Sequence, residues 1–587
     1  MTQASDTQPA RGTLAIPEGA HRIPPTLEPD LDRAIEEVTR NAKVWVDLDV
    51  PGRLSILEEL REATFAVAAR WVDAACEAKR IPRASSLAAE EWLAGPSLVL
   101  RNLRLLARTL NDIQEVGQPR FPGVDTRPDG TVTVQVTPAD GWDNVLLRGF
   151  EAEVWMQSHV TEENLHEHVA RIYQPGHTPQ PRVGLVLGAG NVSSIGPMDV
   201  LYKLFVEDEV VVLKMNQVNE WSGPMVAEAF GPLVRRGFLR IVYGGSDVGA
   251  YLTSHGGIDT LHITGSDKTH DAIVFGPGDE GRKNKANGQP VNTKPLSSEL
   301  GNVTPVIVVP GPWSDREVEF HSQNIATMLV NNAGFNCIAA RVLVTHRQWA
   351  RRRALLDGVR DVLRSAPQRH PYYPGAEQRW QAFVDEHPQA ERFGVERADE
   401  VPWTFIPELD ADNEDDIAFS TEAFCGVFGE VPLDATQSVP DFLDRAVAFC
   451  NDRLWGTLSA CILIHPRQLR DPDVALAADR AIAELRYGSV VVNHWAAVAY
   501  GLVSTTWGAY PGHGIDDIQS GRGVVHNSFL LEDASKSVVR GPFTMTPKPL
   551  WFTGHRNAEA TARTLCEFEA DPSPARIPRL LWNALRG

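Results

Sequence analysis

Four short apolar runs rich in β-branched residues lie between Val183 and Thr264: Val183–Leu187, Val210–Lys214, Leu239–Tyr243 and Thr260–Thr264. Helical stretches such as Pro224–Val234 and Val248–Ser254 separate them. Apolar strands that alternate with helices call for a parallel sheet covered on both faces, because a parallel crossover needs a helix to bridge it. The rhythm returns at Val306–Val309, Arg341–Thr345, Ala460–Ile464 and Ser489–Asn493, so a second α/β unit is expected. Upstream, Leu54, Leu57, Leu60, Ala63 and Val67 recur at helical spacing, and the region from Leu27 to Leu110 reads as helical. Val132–Val136 alternates as a strand, with Val145–Met156 as its hairpin partner or the lead into a helix. Gly276–Pro295 reads as a loop rich in Gly, Lys and Asn.

At 587 residues the chain exceeds one ordinary domain. Its formal net charge of −20 opposes nonspecific binding to nucleic acid or anionic membranes. The six cysteines form no CxxC pair, which points away from a zinc site or a disulfide framework and toward a reducing cytoplasm. No metal ligands are predicted. No run of ~18 apolar residues occurs, so no transmembrane helix is expected. Met1–Pro25 is polar, contains several prolines and lacks the pattern of a signal peptide; residues 1–26 are expected to be disordered or loosely ordered.

Two residues carry candidate chemistry. Cys337 follows Asn331-Asn-Ala-Gly-Phe-Asn336, a polar, glycine-containing segment ill suited to a core. Glu299 lies upstream in Ser298-Glu-Leu-Gly-Asn302. A thiolate attacks a carbonyl carbon, and a carboxylate activates the water that releases an acid from the resulting thioester. Taken singly, each has a plainer reading: a free cysteine is more often a small core residue, and a glutamate before a strand is usually on the surface.

The succession Leu213-Lys214, Ile263-Thr-Gly-Ser266, Glu299-Leu-Gly301, Cys337 and Glu422-Ala-Phe424 resembles the aldehyde dehydrogenase superfamily, in order and approximate spacing, from about Leu31 to Asn527. The resemblance implies Cys337 as nucleophile, Glu299 as general base and Asn191 as a hydrogen-bond donor to the oxyanion. It implies that Lys214, Gln217, Gly265, Ser266, Glu422 and Phe424 bind the cofactor, NAD or NADP. The chain departs from the family at Phe335, where glutamine is usual, at Asn302, at Ala189-Gly190, and at Gln217, where a glutamate often holds both ribose hydroxyls. A neutral amide there leaves the site open to NADP. Trp507-Gly-Ala-Tyr-Pro-Gly-His-Gly514 replaces a shorter family turn, marking a divergent member. Trp495, Trp507 and Tyr510 either wall a substrate funnel or fill a core. His494 and His513 are read as structural rather than catalytic.

The fold implied is α/β and two-lobed, with a Rossmann-like cofactor lobe, a catalytic α/β lobe and a small β-arm for oligomerisation. The expected organisation is 27–297 for the cofactor lobe with an insertion near 118–160, 298–504 for the catalytic lobe, and 505–587 for a return to the cofactor lobe and an oligomerisation tail. The implied activity is NAD(P)-dependent oxidation of an aldehyde to an acid in a cytoplasmic homodimer or homotetramer. The alternatives are a CoA-acylating enzyme on the same fold and a noncatalytic binding or scaffold homologue; retention of Glu299 argues against the first, and the joint presence of Cys337, Glu299, Lys214 and Glu422 against the second.

Overall fold

In the computed structural model the described residues are 11–83, 85–395, 400–436 and 438–587. Among them, most strands gather into a six-stranded and an eleven-stranded sheet, so the molecule is two-lobed α/β. In the smaller sheet Val183–Leu187 lies between Thr260–Gly265 and Val210–Lys214, and Leu239–Val242 and Leu296–Leu300 flank these, all parallel. Gly521–Arg522 caps the edge in antiparallel fashion. Val183–Leu187 comes first in sequence and sits inside the sheet, so its neighbours' connections leave in opposite directions. A crevice opens at the carboxyl ends of such strands, and ligands bind there.

The larger sheet has a parallel centre built on Thr304–Val308, Ala340–His346, Val427–Leu433, Ser459–Leu463, Ser489–Val492 and Ala534–Arg540. Its strands are buried along their length, which explains why they read as unbroken apolar runs. At one end Glu151–Met156, Val132–Thr137 and Gly123–Thr126 join antiparallel. The β-arm predicted within the cofactor-lobe segment is therefore an extension of the chain's own large sheet.

A helical layer precedes both lobes: Glu28–Val46, Val50–Ala78, Ala88–Trp92 and Leu98–Val116. Asp49 caps the second helix by accepting the Gly52 N–H. A π-helical turn at Leu93–Ser97, with Gly95 and Pro96 inside it, breaks the line between the last two helices and turns Leu93, Ala94 and Leu98 toward a cavity described below. The C-terminal helix Ala558–Ala570 packs on this layer.

Four expectations need correction. Residues 1–10 lie outside the described residues, but 11–26 are not loose. Gly12–Thr13 pairs in parallel with Thr421–Glu422, and the Thr13 N–H and hydroxyl donate to Asp267. Arg22 and Ile23 donate backbone N–H groups to the buried Glu220 carboxylate, whose low exposure demands partners. Second, Gly276–Pro295 contains a helix, Gly278–Ala286, with Asp279 and Glu280 in its first turn and Lys283 and Lys285 in its last, matching the helix dipole. Third, Glu299 lies within Leu296–Leu300 of the smaller sheet, and the chain enters the larger sheet at Thr304, so the lobe boundary falls after Leu300 rather than at 297. Last, of residues 505–587 only Gly521–Arg522 returns to the cofactor-lobe sheet; Ala534–Arg540 joins the larger one.

Candidate active site

Cys337 follows the helix Asp315–Val330, which begins with a Ser314–Glu317 capping box and ends in a left-handed turn. Asn332, Ala333 and Gly334 have φ of 51°, 58° and 80°. A Cβ on Gly334 would meet the Cys425 backbone at 2.7 Å, so only glycine lets the two loops touch. The buried Arg341 guanidinium ties them, donating to the carbonyls of Cys425 at 2.6 Å and Gly334 at 2.8 Å. Sequence reasoning missed Arg341; its place at the start of a buried strand, Ala340–His346, is the signal that was available.

Glu299 is 3% exposed. Burial first, then the charge of Asp199, pushes its carboxyl up to about 8. Its Oε1 has no hydrogen-bond partner among the described residues, and the Cys337 thiol is within hydrogen-bonding reach of the carboxyl. Burial, with Glu299 and Glu422 nearby, raises the thiol well above its ordinary range. Asn191 sits between Val183–Leu187 and the helix Ile195–Phe205. One of its amide hydrogens goes to the Phe335 carbonyl at 2.9 Å, leaving the other for a ligand. Its own carbonyl accepts from Lys79 at 3.2 Å, Asn332 at 3.1 Å and Tyr372 at 3.1 Å. Lys79 also bonds the buried Glu91 at 2.9 Å and Asn332 at 2.9 Å, so a buried ionic network fixes the asparagine. Neither Lys79 nor Tyr372 was foreseen, since both come from remote segments without a motif.

Lys214 ends its strand, and burial lowers its ammonium to about 8. Gln217 is not free: its Oε1 accepts the Gly19 N–H at 3.2 Å and its amide nitrogen lies 2.9 Å from His21 Nε2. The Glu18 carboxylate of the same segment accepts the Ser246 N–H at 3.0 Å, and Glu18, Asp247 and Glu220 all act on the Lys214 charge. Gly265 is exposed, and Ser266 caps the helix Asp267–Phe275 by accepting the Thr269 N–H. Glu422 is 1% exposed and raised by burial to about 7, with Oε1 unpartnered among the described residues. The Phe424 ring packs edge-on to Tyr373 at 4.9 Å and near Phe335 at 5.9 Å.

All nine predicted site residues line one cleft of about 460 Å³, roofed by residues 13–19. Cys337 and Asn191 also line a second, apolar cavity of about 240 Å³ on the other side. Trp495 walls that cavity. Trp507 is buried edge-on to Tyr500, and Tyr510 lies under the Lys536 ammonium. His494 bonds the Pro542 carbonyl at 2.8 Å, and His513 lies 2.8 Å from the Thr457 hydroxyl; neither lines these two cavities.

A family model described as the aldehyde dehydrogenase family matches residues 203–376. The architecture matches solved members across nearly the whole chain. NADP-dependent glyceraldehyde-3-phosphate dehydrogenase from Bacillus halodurans, in complex with NADP, superposes with a TM-score of 0.58 at 16% identity, over 88% of this chain and 92% of that one. Residues 203–376 thus resemble the aldehyde dehydrogenase family, and the chain has the fold of solved aldehyde dehydrogenases. An NAD-dependent aldehyde dehydrogenase from Sinorhizobium meliloti superposes with a TM-score of 0.59 at 15% identity, over 89% of each chain. Among curated superfamily proteins, N-succinylglutamate 5-semialdehyde dehydrogenase of Sphingopyxis alaskensis is 27% identical over 198 residues, 34% of each chain. The same enzyme of Novosphingobium aromaticivorans is 26% identical over 160 residues, 27% of this chain and 31% of that one. The chain thus spans about a third of the length of the curated relatives it matches.

Proposed function

We propose that the protein oxidises an aldehyde to a carboxylic acid, with NAD or NADP as hydride acceptor, through a covalent intermediate on Cys337. The observation that supports this is the place of Cys337 at the junction of two cavities, one bearing every predicted cofactor residue and the other apolar. The unpartnered buried oxygens of Glu299 and Glu422 and the start of the helix at Ser266 suit a bound dinucleotide. Lys214 and the Ser246 region would take its adenosine end, and Glu422 and Phe424 its nicotinamide ribose. The dinucleotide supplies the hydride acceptor. Cys337 adds its sulfur to the aldehyde carbon while its proton leaves toward Glu299. Asn191 donates its free amide hydrogen to the oxyanion. After hydride loss the carbon is a thioester; Glu299, having passed the thiol proton to solvent, takes another from the water that attacks it and gives that proton to the departing sulfur, so the acid leaves and the thiol is restored. The carboxylate-bearing substrate in the names of the curated relatives is not carried over. Assay of the full chain for NAD(P)H formation with a panel of aldehydes, with and without CoA, tests the reading. A product acid formed without CoA is expected; an absolute need for CoA, or no turnover of any aldehyde, refutes it.

A further inference from the structure

The cavity beyond Cys337 is assembled from four distant parts of the chain. Leu98 comes from the helical layer, Leu147 and Phe150 from the link between two strands of the arm, Trp495 from the catalytic lobe, and Trp551 and Leu565 from the C-terminal region. At about 240 Å³ it falls just below the ~300–1,000 Å³ common for ligand sites, so its occupant is compact. Three charged side chains reach its wall: Glu90, Arg101 and Glu569. Each is already spent. Arg101 is 6% exposed and donates to both Asp143 oxygens at 3.0 and 3.1 Å, to Glu569 at 3.2 Å and to the Leu502 carbonyl at 2.9 Å. Glu569 also binds Arg104 at 2.7 Å, and Glu90 accepts from Arg369 at 2.9 Å. Among the described lining residues, Arg101 is the one cation, and its neighbours on the wall are two carboxylates. Near Cys337, Asn336 is bonded to Asn331 at 3.1 Å and Tyr500 to Ser194 at 3.2 Å, and the second amide hydrogen of Asn191 is the one assigned above to the oxyanion.

We propose that the aldehyde this cavity admits to Cys337 carries an uncharged hydrocarbon tail, and that semialdehydes bearing a carboxylate are excluded. The proposal rests on the oxidation set out above. A buried carboxylate needs a cation or several donors to replace its water. Here it would find no uncommitted cation: the unpartnered Ser97 hydroxyl and Trp551 indole N–H are neutral donors, and Glu90 and Glu569 on the same wall would repel it. A hydrocarbon tail loses only water and gains the aromatic and leucine walls.

The test compares hexanal with succinic semialdehyde on the full chain under both dinucleotides. The expected result is a kcat/KM for hexanal at least about 100-fold above that of the anion, since rejection of an unpaired charge by a built site is a large effect. Equal values, or a preference for the anion, overturn the proposal. Leu147→Arg, at a half-buried position, places a free cation in the wall and is expected to narrow the ratio at least about tenfold. Leu565→Lys serves the same purpose if that variant does not fold. A folded variant with an unchanged ratio counts against the cavity as the tail site. If neither aldehyde is oxidised, the oxidation reading fails, and calorimetry still decides the cavity. Cys337→Ala protein that binds hexanamide but not succinamate upholds the tail class; binding of succinamate, or of neither, refutes it.

Discussion

Burial lifts the Glu299 carboxyl to about 8 and raises the Cys337 thiol well above its ordinary range, with each within hydrogen-bonding reach of the other. A base must be ionised to take a proton, so turnover is expected to climb as pH rises toward about 8. Glu299→Gln should remove that rise and leave a burst of NAD(P)H before slow turnover, read by rapid mixing; an unaltered profile excludes Glu299 as the deacylating base. Cys337→Ala should lose all but about 1% of oxidation while still binding dinucleotide by calorimetry, because covalent catalysis is worth several kcal/mol. Stability carries the opposite sign. Glu299 and Glu422 have folded values raised from 4.5 to about 8 and about 7. Their contribution is complete below the unfolded value and is lost as pH climbs through the folded ones. Thermal melts of Glu299→Gln should therefore gain on wild type more at pH 8.5 than at pH 5. At this scale the candidate residues could be picked out in the sequence, because the proposed chemistry demands particular side chains in a particular order, and the structure gathers them in one cleft. Lys79, Arg341 and Tyr372, which position them, were not.

At the scale of elements, the segment 11–26 clasps both lobes: Thr13 bonds Asp267 on one, and Gly12–Thr13 pairs with Thr421–Glu422 on the other. It also brings Glu18 beside Lys214 and occupies the amide of Gln217. Glu18 thus sets a negative charge near the neutral Gln217, so the expectation that Gln217 opens the site to NADP has to be tested together with Glu18. Deleting residues 2–19 is expected to raise the dinucleotide KM about tenfold, an amount equal to about 1.4 kcal/mol, with the aldehyde KM little changed. A lower dinucleotide KM would mean that the segment obstructs the cleft. Glu18→Gln should raise the NADP-to-NAD ratio of kcat/KM severalfold, and an unchanged ratio removes Glu18 from that role. The polarity and prolines of this segment hid its order, since its partners lie some 200 to 400 residues away along the chain and no local periodicity reports them.

Across the whole molecule, one buried ionic group joins three remote segments. Arg101 of the helical layer holds Asp143, in the link between two strands of the arm, and Glu569 of the helix Ala558–Ala570. Removing Arg101 leaves the buried Asp143 charged without its cation and Glu569 held by Arg104 alone, so Arg101→Ala should cost about 3–5 kcal/mol in chemical denaturation. Because Arg101 and Glu569 both line the apolar cavity beside Cys337, that loss should also weaken binding of the proposed aldehyde.

The order of apolar runs and helices, and the choice of a candidate thiol and carboxylate, came from the sequence itself: side-chain period and chemical type are local properties. Only the tertiary structure decided that the arm extends the chain's own large sheet, that Gly276–Pro295 holds a helix, and that the opening segment roofs the cleft containing Cys337. It alone drew Leu98, Leu147, Trp495 and Leu565 into one apolar wall. Those outcomes depend on which distant surfaces bury one another, and burial between remote segments leaves no periodic mark along the chain.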